Sequence, residues 1–176
     1  LVARADADLA RPLAAALLGG TGAGAADGEA GEDAPGLAVD AEIRWLVLQA
    51  LAATGQADEA RLDAELAAGR TAQTVTWHRL ATAARPEPAV KATAWEAVMA
   101  GRTADGVELS NDLLSATAAG FAAGDVELLA EHEAGFWPRL EQVWASRSNG
   151  LASRAIGGLF PGHQDAVAGD AAAQES

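Results

Sequence analysis

The positions at which this sequence can do chemistry are its histidines, its clustered carboxylates and its few arginines. The histidines are His78, His132 and His163. A helical zinc-peptidase site needs His-Glu-x-x-His, which sets two imidazoles one turn apart with the glutamate as base. Glu131-His132-Glu133 has no second histidine at that spacing, so His132 reads as a partly solvated helix face. The absence of Cys removes thiolate zinc sites, cysteine nucleophiles and disulfides. Gly-x-Ser-x-Gly is also absent. Gly19-Gly20-Thr21-Gly22-Ala23-Gly24 looks like a phosphate-cradling loop, but it follows a helical pattern rather than a strand and lacks the Lys-Ser/Thr ending. The pairs Asp63/Glu65 and Glu127/Glu131 suit acid–base work only where one pKa is raised; on amphipathic helices they read as solvated faces.

Arginines are scarce enough for their spacing to carry information. Arg139, Arg147 and Arg154 recur at eight and then seven residues, near two helical turns, and can line one surface. An exposed basic face is one reading; Arg147 and Arg154 turned toward a peptide cavity is the other. Trp137 and Trp144, seven residues apart, share a face of any continuous helix and read as packing mass in an alanine-rich core. No catalytic or metal-ligating residue emerges from this reading.

Helical periodicity must position all of these groups. Leu9, Leu13, Ala16 and Leu17 make a first apolar stripe, followed by a Gly/Ala/acidic stretch at 19–36 that reads as a flexible loop. Asp40, Thr71 and Ser110 are placed as helix N-caps, a short helix runs from Asp58 to Ala68, and Asp125 opens a further helix. Pro88 suits a first turn, and Gly55, Gly69, Gly101 and Gly124 suit helix ends. Pro138 starts its own helix after a kink, and a last helix runs from Ser148 to Leu159 before Pro161. Residues 162–176 read as a frayed tail. The sum is all-α: seven or eight short antiparallel helices in an irregular α-solenoid of HEAT- or armadillo-like pairs.

Composition narrows the function classes. Of 176 residues, 47 are alanine, the best helix former. With 25 acidic and 12 basic residues the net charge is −13, which opposes nucleic acid and anionic membrane as partners. No apolar run approaches the ~18 residues of a membrane span. The length suits one helical domain over 1–176, and a start without Met reads as a piece of something longer.

Several motifs in order carry a resemblance. Pro35-Gly36 through Asp40, Ile43-Arg44-Trp45-Leu46 and Thr54-Gly55 resemble the C-terminal helical domain of actinobacterial aminopeptidase N. So do Leu62-Asp63-Ala64-Glu65-Leu66, Arg85-Pro86 with Lys91 and Ala94-Trp95, Leu109-Ser110-Asn111, Val143-Trp144 through Ser148, and Gly158-Leu159-Phe160-Pro161. The resemblance implies the second part of a bowl-like helical domain that covers the active site of a cytoplasmic zinc exopeptidase. It implies an upstream catalytic domain of the same chain as partner, a peptide substrate, and zinc held in that domain rather than here. Neither His-Glu-x-x-His nor the family's Gly-x-Met-x-Asn occurs in this sequence, so no catalytic residue carries over. A free-standing helical-repeat module that binds another protein is the competing expectation.

Overall fold

The computed structural model describes residues 40–123 and 126–161. The first leucine stripe, the 19–36 loop, His163, the 162–176 tail, Gly124 and Asp125 lie outside the described residues. Eight helices appear among those described: α1 (Ala41–Ala53), α2 (Glu59–Ala68), α3 (Ala72–Ala84), α4 (Pro88–Ala100), α5 (Asn111–Ala122), α6 (Val126–Glu133), α7 (Phe136–Ala145) and α8 (Asn149–Leu159). They contain no strand, only an isolated antiparallel bridge between Arg102 and Glu108 in the α4–α5 connection. None of the described helices is by itself long and apolar enough to cross a membrane.

The caps explain the boundaries. Asp40 accepts the Ile43 N–H at 3.0 Å and Asp58 the Arg61 N–H at 2.9 Å. Each satisfies a first-turn donor that the helix cannot pair internally. Thr71 and Thr74 form a reciprocal capping box on α3. Pro88 is the first residue of α4, where a missing N–H costs nothing. Gly55 (φ +72°) and Gly101 (φ +70°) take the left-handed conformation beyond α1 and at the end of α4. Pro138 differs from expectation: α7 begins two residues earlier, at Phe136, and the proline sits within the first turn, where it breaks no internal bond.

α3 packs between α1 and α5, and α5 between α3 and α8, so these four form a continuous row; α2 lies on α3 and α4 on α5. Trp45, Leu48, Leu51, Leu62 and Leu66 make a smaller core under α1–α3, and Trp95, Val98, Leu114, Phe121, Phe136 and Leu159 belong to a larger one. Small residues set the approach of the row. A Cβ on Gly120 of α5 would press on the Leu80 carbonyl oxygen and lie 2.7 Å from the Ala83 Cβ of α3; one on Gly158 would lie 2.6 Å from the Ala118 Cβ.

Gly120→Ala is therefore expected to lose about 2 kcal/mol in urea unfolding, because overpacking against an unyielding backbone oxygen exceeds the ~1 kcal/mol of helix propensity gained. Gly157→Ala, with nothing within 4 Å of the added Cβ, is expected to gain up to about 1 kcal/mol. Equal effects at the two sites contradict the close α3–α5 approach.

Candidate functional site

The two histidines among the described residues are committed to packing and pairing. His78 on α3 meets the Asp63 carboxylate of α2 at 2.8 Å and stands edge-on to the buried Trp45 ring, 6.0 Å between centroids. His132 is partly solvated, as expected, and its ring also packs: it stacks on Trp95 at 5.6 Å and stands edge-on to Phe121 at 5.5 Å. Among the described residues no three His, Cys, Asp or Glu side chains come together as a metal-holding group. The described donors are thus not gathered into a set that fits a zinc ion.

The fold sends Asp63 and Glu65 to different partners. Glu65 turns to Arg44 of α1 in a two-pronged contact, Nε to Oε1 at 2.8 Å and a second guanidinium nitrogen to Oε2 at 2.6 Å. These hydrogen bonds hold the Glu65 carboxyl below its ordinary range, opposite to what a general acid needs. Asp63 goes to His78 instead. Glu127 and Glu131 are exposed on α6.

Of the three periodic arginines, two converge. Arg139 grips Glu96 of α4 at 2.7 and 3.0 Å. Arg147 donates to the Val98 carbonyl at 2.8 Å and to that of Met99, satisfying acceptors in the last turn of α4. Its guanidinium carbon lies 3.1 Å from where a Cβ on Gly101 would stand, so a side chain there would displace the Arg147 tip slightly, while the positive φ is what favours glycine. Burial, and Arg139 alongside, lower the Arg147 pKa. Both arginines, with Arg102, line a cavity of about 570 Å³ between the α4 end and the α7–α8 turn. Arg154 is exposed on α8 and does not line that cavity.

Two features were misplaced or missed by spacing alone. Trp137 and Trp144 are not core packing: they are 55% and 49% exposed, because the buried side of α7 is taken by Phe136 and Val143, with Leu140 packed against the core. Lys91 on α4 is fully buried. Its ammonium lies 2.5–3.2 Å from the carbonyls of Ala83 and Ala84 at the end of α3 and of Gly120, Phe121 and Ala123 at the end of α5. Two helix C-termini, each the negative end of its dipole, thus share one cation. The available signal was a lone lysine in the apolar series Lys91, Ala94, Trp95, Val98.

Among the described residues the arrangement organises helix ends. The model of the ERAP1-like C-terminal domain matches residues 10–174. Aminopeptidase N of Streptomyces lividans is 40% identical over 130 residues, covering 73% of this chain and 15% of that protein. The chain thus matches only a small part of its relative's length, and it belongs to the ERAP1-like C-terminal domain family.

Proposed function

We propose that this chain is the non-catalytic helical C-terminal domain of a zinc-dependent, cytoplasmic aminopeptidase N. In that reading it encloses the peptide cavity beside an upstream catalytic domain and limits which peptides enter. The observation that carries the reading is 40% identity to a segment making up 15% of an aminopeptidase N. The helical row, held by shared caps and interlocked glycines, suits a wall whose motion gates access. Arg147 and Arg154 remain our candidates for facing peptide, Arg147 from the 570 Å³ cavity.

The test is enzymatic. The 176-residue chain is expected to release no N-terminal residue from peptide substrates with zinc added. A longer protein from the same reading frame is expected to contain His-Glu-x-x-His and to lose its activity to a chelator. A frame with no such upstream domain would favour a free-standing helical-repeat binder and sink this reading.

A further inference from the structure

The end of α4 and the α7–α8 turn gather three arginines on one cavity. Arg102, Arg139 and Arg147 line its volume of about 570 Å³, and Glu108 is the one carboxylate among the lining residues. That basic excess is local, since the chain as a whole carries −13. A second cavity of about 430 Å³, against α3 and α4, sets Arg79 and Arg85 against Glu59 and Glu87 and is balanced. Like charges held together repel, and Arg139 stands near enough to Arg147 to lower its pKa. Arg102 is exposed, and its side chain has no partner among the described residues. Arg147 gives N–H groups to the Val98 and Met99 carbonyls, and Arg139 gives its own to Glu96. A guanidinium has more N–H groups than these contacts use, so both keep donors to spare.

The ligand that fits is an anion with more charge and more oxygens than one carboxylate. A carboxylate takes a single guanidinium in a two-pronged contact, as Glu65 does with Arg44 and Glu96 with Arg139. Here the guanidiniums come from three places: the α4–α5 connection, α7 and the α7–α8 turn. They suit a group that presents oxygens in several directions. A phosphate ester carries roughly −1.5 to −2 charges at pH 7 and three acceptor oxygens. Gln142, Ser146 and Ser148 add neutral polar groups to the lining. The volume falls within the roughly 300–1,000 Å³ of small-molecule sites. We propose that this cavity binds a phosphate group, free or carried on a small ester, through Arg102, Arg139 and Arg147. The proposal does not rest on the aminopeptidase reading above.

Calorimetric titration of the 176-residue chain in about 0.15 M salt tests it, with charges beyond ~8 Å screened. Inorganic phosphate or phenyl phosphate is expected to bind with a Kd on the order of 1 mM or below. Both outcomes support the site: tighter phenyl phosphate makes an ester the occupant, and tighter inorganic phosphate the free ion. Arg102→Gln, at an exposed side chain the described fold does not use, should weaken binding about tenfold. Glu108→Gln, which removes the opposing carboxylate, should tighten it about threefold. Arg154→Gln takes the same charge from outside the cavity and should leave the Kd within about twofold. Absence of saturable binding of either probe up to about 20 mM overturns the proposal. Equal weakening by Arg102→Gln and Arg154→Gln also overturns it, by making the attraction a property of overall charge. An N-acetylated peptide with a free C-terminal carboxylate that binds more tightly than either phosphate, and is weakened by Arg102→Gln, overturns it in favour of a peptide terminus.

Discussion

Lys91→Met is expected to destabilise the domain by about 4 kcal/mol in urea unfolding at neutral pH. Methionine fills the same apolar channel, so the loss is polar in origin. The substitution removes the ammonium that donates to the carbonyls of Ala83, Ala84, Gly120, Phe121 and Ala123. A buried acceptor left without a partner costs about 1–3 kcal/mol, and several are left here at once. Against this stands relief from burying a charge: desolvation lowers the Lys91 pKa from 10.5 to about 8, worth roughly 3 kcal/mol. The orphaned carbonyls outweigh that relief. A loss below about 1 kcal/mol would show that the two helix ends do not depend on the ammonium.

The same lysine makes stability depend on pH in a direction that is easily reversed by habit. Below about pH 8 it is protonated in both folded and unfolded chains, and the folded state bears the full cost of burying the charge. Between about 8 and 10.5 the unfolded chain binds a proton that the folded chain has released, so stability rises with pH across that window. Wild type should therefore gain on Lys91→Met by up to roughly 3 kcal/mol from pH 7 to 10.5. Parallel unfolding midpoints for the two proteins over that range would contradict the buried, desolvated ammonium.

What could be read in advance divides along physical lines. Caps and breakers act within three or four residues, so Asp40, Asp58, Thr71, Pro88 and Gly101 announced helix limits that the fold keeps. Pro138 misled by two residues because a proline is tolerated anywhere in a first turn. Groups whose meaning lies across the chain were not legible. Lys91 reaches carbonyls as far as 32 residues away, and Arg147 reaches acceptors 48 and 49 residues away. Spacing put Arg139, Arg147 and Arg154 on one surface, whereas α7 and α8 are separate helices meeting at a turn, so a single periodicity does not run through them. Residue type and a seven-residue spacing made Trp137 and Trp144 core; the competing stripe of Phe136, Leu140 and Val143 took the inward side.

Trp45→Ala is the second large effect, expected to lose about 3–5 kcal/mol. The indole is 1% exposed and is the largest side chain in the smaller core, packed with Leu48, Leu62 and Ala81 and met edge-on by His78. Alanine leaves a cavity that this core cannot close, because α1 and α2 are tied to each other by Arg44–Glu65 and α2 to α3 by Asp63–His78. The two cores meet through α3, whose other side holds the α5 row. The loss should consequently appear first as local opening of α1 and α2: in native-state hydrogen exchange their amides lose protection while those of α5 and α8 keep theirs. Uniform loss across all eight helices would mean that the two cores unfold as one unit. A change below about 0.5 kcal/mol would mean that Trp45 does not anchor α1 at all.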